Sequence, residues 1–359
     1  MSTQDGTTTT TLTDLITLII TTSPTPSAPS TDLISSTLES FKLHCTGLLS
    51  CRVIIVFDTY DRIGESMRLK KGQVTQELAQ ALELYKINVK DLILKEWYPT
   101  AKQGTSPVFL RDQAEAEYGS PKMADNHVAI SISQTVDKRI TFIEPAARLG
   151  FGLAVRSALR VSETPYVWVQ QHDWPLVRDI PLTSMLEVMQ ASENAGSESS
   201  DSAPPVKYIC LPAIRMLYYA ISPHVQPFPA LRALTAQLKR DFFPASQPEV
   251  AVPLTPLFFW HDKPHIASTA HYLARIFPSR LAMARGDFIE DHVGQRARAQ
   301  MKEGNWAKWA CWLYYPEEGT EVCLRHQHGR KWRGVEAELQ TKQMFLEMAA
   351  KRDSATPES

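Results

Sequence analysis

Apolar and polar positions alternate along this chain in two rhythms. Short apolar runs that end on polar or acidic residues read as buried strands leading into loops. Such runs are "CRVIIVFDTYD" (51–61), "DLILKEW" (91–97), "HVAISIS" (127–133), "RITFIEP" (139–145), "PYVWVQQHDW" (165–174), "VKYICLPA" (206–213) and "ACWLYYP" (310–316). Between them lie stretches with helical spacing. "GQVTQELAQALELYKI" places Val74, Leu78, Ala81, Leu82 and Tyr85 on one face. "AARLGFGLAVRSALRVS", "IPLTSMLEVMQAS", "ASTAHYLARIF" and "FIEDHVGQRARAQMKEG" behave alike, and "GVEAELQTKQMFLEMAAKR" is an amphipathic helix near the end. Strands alternating with helices predict an α/β sheet with helices on its faces.

Periodic structure begins near Phe41. Residues 1–40 are rich in Thr, Ser and Pro, with an apolar patch from Leu15 to Ile20, and are expected to be a disordered tail. Residues 41–350 then form one domain and 351–359 a disordered end. The Ser-rich stretch 192–205 is a flexible insertion, because a strand resumes directly after it. The proline-rich segment from Ser222 to Pro256 has no clear period.

Composition narrows the function. Lys plus Arg total 38 against 39 for Asp plus Glu, a net charge of -1, which argues against a dedicated nucleic-acid binder. No apolar stretch reaches the roughly 18 residues that a membrane span needs. The cysteines, Cys45, Cys51, Cys210, Cys311 and Cys323, form no CxxC pair, and their odd number fits reduced thiols and a cytoplasmic location. No basic residue precedes Lys42, so a secretory leader is not expected, although an unusual targeting leader stays open.

In an open α/β sheet, ligands gather beyond the carboxyl ends of the strands. "FDTYD" and "QHDW" end two strands, so Asp58, Asp61 and Asp173 are expected at one crevice, with turn or helix-cap roles as the alternative. Three histidine clusters follow: "WHDKPH" with His261, Asp262 and His265; "FIEDHVGQRAR" with Glu290, Asp291, His292 and Arg296; and "LRHQHGRKWRG" with His326, His328, Arg330, Lys331 and Arg333. Alternating histidines point the same way and suit a shared metal, and neighbouring guanidinium groups suit a diphosphate.

The segment "EPAARLGFGLAVRSALRVSETPYVWVQQHDW" resembles the middle of family 2-like glycosyltransferases of the GT-A fold. Gly150, Gly152 and Arg156 match the family's Gly-x-Gly-x-x-x-Arg helix, and Tyr166 to Val169 match the strand before its acidic DxD-type motif. That motif reads Gln171-His172-Asp173 here, with only its last acid present. "VIIVFDTYD" resembles the strand holding the nucleotide base and ribose, and "EDHVGQR" the acceptor-side Glu-Asp motif.

The resemblance implies a Rossmann-like three-layer sandwich with a mixed, mostly parallel central sheet. It implies transfer of a sugar from a nucleotide-diphosphate donor to an acceptor, assisted by Mn²⁺ or Mg²⁺. Asp291 would be the general base with Glu290 beside it. Asp58, Asp61, Arg156, Arg296 and Arg330 would contact the donor. Asp173, His172, His326 and His328 would hold the metal. The alternatives are a catalytically degenerate nucleotide-sugar binder on the same fold and, behind it, a metal-dependent hydrolase built on His261, Asp262, His265, His326 and His328.

Overall fold

The structure, a computed structural model, describes residues 11–99, 107–195, 204–340 and 343–344. Its first finding corrects the expected tail over residues 11–40, residues 1–10 lying outside those described. After a short helix α1 (Leu12–Leu15), residues Ile16–Thr22 form strand β1, which is buried at every position. Successive strand residues point to opposite faces, so both faces of the sheet are covered here. Threonine is β-branched and favours strands, and the sheet satisfies these hydroxyls. Thr17 Oγ1 lies 2.8 Å from Thr164 Oγ1, and Thr21 Oγ1 donates to the Gln170 carbonyl at 3.4 Å. The Thr-rich composition that suggests disorder is here the composition of a core strand. Helix α2 (Asp32–His44) follows and also begins inside the expected tail.

The chain continues through β2 (Arg52–Phe57), the small pair β3 (Arg62–Ile63) and β4 (Gln73–Val74), and helix α3 (Gln76–Trp97). The expected strand "DLILKEW" is the last part of α3. Tyr85, Val89, Ile93 and Trp97 recur every four residues, all are buried, and the helix simply carries on. Next come β5 (Phe109–Glu117), β6 (His127–Thr135), β7 (Ile140–Pro145), α4 (Phe151–Val161), β8 (Tyr166–Gln171) and α5 (Leu182–Ala195). Then follow β9 (Tyr208–Cys210), α6 (Pro229–Leu238), β10 (Arg240–Phe242), β11 (Val252–Pro256), β12 (His265–Ser268), α7 (Thr269–Arg275), α8 (Gln295–Lys302) and β13 (Cys311–Tyr314). The proline-rich segment thus holds α6, β10 and β11, and "HIAS" is a strand that runs into α7.

One 11-stranded sheet has the order β10-β11-β13-β9-β12-β8-β1-β2-β7-β6-β5. It is mixed, not mostly parallel. The centre β8-β1-β2-β7 is parallel, as is β9-β13. The β5-β6-β7 flank is antiparallel, β12 runs antiparallel to β8 and β9, and so do β10 and β13 beside β11. Short turns join β5, β6 and β7, and a short turn permits only an antiparallel pair; parallel neighbours need a crossover. Helix α4 packs on β1 and β2, α3 on β7, α6 on β11 and α7 on β12.

The five cysteines are buried and free of disulfides. Among the described residues no helix is long and apolar enough to cross a membrane. The core of the Ser-rich insertion (196–203) and the expected disordered end (351–359) lie outside the described residues. Of the expected last helix, residues 335–340 are helical.

The position of β1 makes a direct prediction. Ile19 is fully buried in the centre of the sheet, beside Ile54 and Val169 in register. Ile19→Ala should cost about 2–5 kcal/mol in a denaturant unfolding curve. A disordered tail would show a change within about 0.5 kcal/mol.

Candidate functional site

Strand β1 is where the parallel sheet grows in two directions, towards β2 on one side and β8 on the other. Such a switch point opens a crevice at the carboxyl ends of the strands. The His172 N–H donates to the Thr21 carbonyl at 3.1 Å and the Asp58 N–H to the Thr22 carbonyl at 3.0 Å. The ends of β2 and β8 are thereby pinned on either side of β1. A cavity of about 600 Å³ lies above them, lined by Thr21, Thr22, Asp58, Gln171, His172 and Asp173 among others.

Asp58 holds one wall in place. Its carboxylate accepts from the N–H groups of Leu149 (2.7 Å), Gly150 (3.0 Å) and Thr59 (3.0 Å). Burial raises its carboxyl pKa, and those three amides offset only part of the rise. Since Gly150 is the residue capping α4, Asp58 fixes the start of that helix against the cavity.

Asp173 is the centre of the opposite wall. A short antiparallel ladder brings the late histidines to it: Gln327 N–H to the Asp173 carbonyl (2.9 Å), Arg325 N–H to Pro175 (3.1 Å) and Val177 N–H to Cys323 (2.9 Å). Asp173 Oδ2 accepts from His326 Nε2 at 3.1 Å and from the Gly329 N–H at 2.8 Å. Burial alone would raise this carboxyl. The His326 hydrogen bond, the neighbouring His172 and His326 rings and the Gly329 amide outweigh it and hold Asp173 at about 2. His326 stacks on Trp174 at 4.3 Å and 7°, and its ring centroid lies 4.2 Å from that of His328. The His328 backbone is left-handed (φ 55), a conformation histidine tolerates better than most residues, and burial lowers its imidazole pKa.

His172 is 4% exposed and lies 3.2 Å through Nδ1 from the Thr21 carbonyl. A carbonyl only accepts, so Nδ1 carries a proton, and whenever the ring carries a single proton Nε2 is the nitrogen that presents the lone pair. That Nε2 is buried without a partner. A Cβ placed on Gly329 would stand 3.0 Å from His172 Nε2 and 3.1 Å from Asp173 Oδ2, so both atoms pack closely against Gly329 and leave no room for a larger side chain.

Basic side chains surround this wall. Lys70, Arg148, Arg215, Lys263, Arg330 and Lys331 line the cavity, against Asp58, Asp173, Asp262 and Glu290. The Arg330 guanidinium lies 5.1 Å from the centre of the Phe288 ring, and burial together with nearby Arg148 lowers its pKa.

Of the residues expected at the site, Asp58, His172, Asp173, Glu290, His326, His328 and Arg330 share this cavity. Asp61 stands behind the wall, paired with Arg285 (2.7 Å) and Arg148 (3.5 Å). Arg156 is buried in α4 and donates to the Glu117 carbonyl. Arg296 is exposed with its guanidinium 5.8 Å from the Trp309 ring centre, and Asp291 is exposed; neither lines the cavity. Neither the set expected of a hydrolase nor the expected metal set His172, Asp173, His326 and His328 assembles: among the described residues, no group of three or more His, Cys, Asp or Glu side chains is placed to share a metal ion.

The sequence reading missed Thr21, Thr22, Arg148, Arg215 and Lys263 as lining residues. The signal for the first two was present, since "LIITTS" is an apolar run ending on polar residues like the other strands.

No protein-family model matches this chain, and no curated protein matches it. Among solved structures, it is similar to the mannosyltransferase PcManGT from Pyrobaculum calidifontis in complex with GDP-Man and Mn²⁺. The TM-score is 0.34 at 12% identity, over 85% of this chain and 58% of that chain. The chain thus spans little more than half the length of that protein.

Proposed function

We propose that the chain transfers a sugar from a nucleotide-diphosphate donor to an acceptor, with the cavity at the ends of β1, β2 and β8 as its active site. One observation carries this reading. A buried, unpartnered imidazole nitrogen (His172 Nε2) and a strongly acidic carboxylate (Asp173) stand together against Gly329, in a cavity rich in Lys and Arg. Nucleotide sugars offer a diphosphate that such a set can hold, and a volume of about 600 Å³ suits a ligand of that size.

Two of these side chains would serve a divalent cation. His172 Nε2 and Asp173 would hold Mn²⁺ or Mg²⁺, with phosphate and water completing the shell, as these ions commonly accept. When bound, the ion would help neutralise charge growing on the leaving diphosphate. The protein's own part is to orient it: the Thr21 carbonyl fixes the His172 tautomer, and Gly329 N–H and His326 aim the carboxylate. Arg330, Lys331, Arg148 and Lys70 supply positive charge to the phosphate side.

Calorimetric titration with UDP and GDP, with and without Mn²⁺, tests the reading, followed by a transfer screen with the matching sugars. Metal-dependent binding of one nucleotide is expected. Failure of both to bind in the presence of metal sinks the proposal.

Gly329→Ala probes this close contact. The added methyl would press on His172 Nε2 and Asp173 Oδ2. Mn²⁺-supported nucleotide affinity should fall by about 10-fold or more. The unfolding free energy should fall by about 1–3 kcal/mol, because Gly329 is buried and the methyl overpacks that wall.

A further inference from the structure

Seven of the chain's eight tryptophans keep their indole N–H inside the protein. Trp97, Trp168, Trp306, Trp309 and Trp312 donate it to protein oxygens at 2.8–3.1 Å. Trp260 and Trp332 bury it without a partner. Trp174 differs from all of them. Its Nε1–H has no partner among the described residues and is not buried, and its half-buried ring lines the cavity.

The ring is also firmly held. The Trp174 N–H donates to the Gln171 carbonyl at 3.3 Å, and the Trp174 carbonyl accepts from Gln170 Nε2 at 2.7 Å. His326 covers one face of the indole, nearly parallel at 4.3 Å and 7°. That imidazole is itself fixed by Asp173 Oδ2 at 3.1 Å. The other large rings of the cavity stand elsewhere. Phe151 and Phe288 stack on each other at 6.0 Å and 17°, and Arg330 lies over Phe288. Tyr60 follows β2, which lies across β1 from the strand that leads to Trp174.

Backbone groups bonded, one face packed and a single N–H left over describe a platform, not a core residue. Its natural ligand has an apolar face and hydroxyls at its rim. A pyranose is such a ligand. Its C–H bonds suit the negative face of an aromatic ring, and a hydroxyl oxygen accepts from an indole N–H. We propose that Trp174 is the platform for the sugar of the donor, packing against its C–H face and donating Nε1–H to one of its hydroxyls.

This rests on the transferase reading, and connectivity selects the donor's sugar. The anomeric carbon is one oxygen away from the diphosphate. Asp173 is the carboxylate assigned to the cation on that diphosphate, and Trp174 is the next residue in the chain. The rival role for Trp174 is support alone, steadying His326 and through it Asp173. The two roles separate cleanly. Support acts on every nucleotide bound with Mn²⁺, whereas a platform acts only when a sugar is attached.

The test is titration calorimetry with Mn²⁺, comparing UDP and GDP with UDP-glucose, UDP-galactose, UDP-N-acetylglucosamine and GDP-mannose. Trp174→Ala should weaken the tightest of the sugar nucleotides by roughly 10- to 100-fold, while its parent nucleotide stays within about threefold of wild type. Trp174→Phe keeps an aromatic face and should recover most of the loss. Equal weakening of nucleotide and sugar nucleotide by Trp174→Ala assigns the residue to support and overturns the proposal, as does no weakening of either. In both cases the transferase reading survives. A wild type that binds neither UDP nor GDP with Mn²⁺ removes that reading and this proposal together. Should Trp174→Ala fail to fold, indole oxidation of the wild type by N-bromosuccinimide, read residue by residue by mass spectrometry, decides. Protection of Trp174 by the sugar nucleotide beyond that given by the nucleotide upholds the platform, and equal protection overturns it.

Discussion

Asp173→Asn is expected to eliminate Mn²⁺-dependent nucleotide binding and to cut sugar transfer by roughly 10²–10³-fold. The amide has no charge to offer a cation. It also disturbs a buried arrangement, because Oδ2 accepts both the His326 Nε2–H and the Gly329 N–H. An asparagine can present its oxygen there only by turning its NH₂ group to the other side of the same crowded wall. The carboxylate is also a source of stability. It is held at about 2 rather than its ordinary 3.8, which corresponds to about 2 kcal/mol at neutral pH. Because the folded-state value is depressed, that contribution is present above about pH 4 and is lost as the pH falls towards 2. Titration calorimetry with nucleotide and Mn²⁺ checks the first effect, and melting curves between pH 5 and pH 2 check the second, each compared with wild type. Retention of Mn²⁺-dependent binding by the variant would falsify the role given to Asp173.

Gly150→Ala should do comparable damage through the backbone. Gly150 has φ 79, a conformation that costs an L residue about 1–2 kcal/mol. A Cβ there would also stand 2.4 Å from the Gly286 Cα, a backbone atom that cannot rotate away. The two segments are stitched together by the Gly286 N–H to the Leu149 carbonyl (2.7 Å) and the Gly152 N–H to Asp287 (3.1 Å). Strain and overpacking together should cost about 3 kcal/mol or more. Separating the segments would also pull the Gly150 N–H off Asp58, so nucleotide binding should weaken in whatever fraction stays folded. Equilibrium denaturation measures the first effect and nucleotide titration the second. A loss under about 1 kcal/mol would mean the backbone contact at Gly286 is not held as described.

Much of the sheet was legible because burial is written locally. The runs ending in "FDTYD" and "QHDW" are β2 and β8, and each ends at the cavity. The run ending in "TTS" obeys the same rule, but its threonines carry two meanings. Thr favours strands by its branching and favours disorder by its polarity, and only pairing with β2 and β8 decides between them. "DLILKEW" failed for a related reason: a short apolar run cannot be told from one turn of a long helix without knowing where the helix stops.

The site was legible in its strand-end residues and less so elsewhere. His326 and His328 were picked out by their alternation, and the ladder along 323–327 does bring them to Asp173. The acidic pair 290–291 divides as no spacing rule foretells. A single π-helical turn, Glu290–Gly294, carries Glu290 into the cavity and leaves Asp291 exposed. Asp262 drew notice only as part of a histidine cluster, and its hydrogen bond with the Glu290 N–H (3.4 Å) is invisible in the sequence.

By itself the sequence determined that this chain builds an α/β sheet, where β2, β6 to β9, β13 and the helices α3, α4, α5, α7 and α8 run, and which strand ends carry acids and histidines. Those are properties of neighbouring residues, set by how often an apolar side chain must face the core. Tertiary structure alone decided that the sheet is mixed, that residues 16–22 lie at its centre, and which charges share one cavity. Asp173 and His326 meet across 153 positions and Asp262 and Glu290 across 28. Contacts over such separations depend on strand order and register, which arise from packing the whole sheet and leave no mark in any short window of residues.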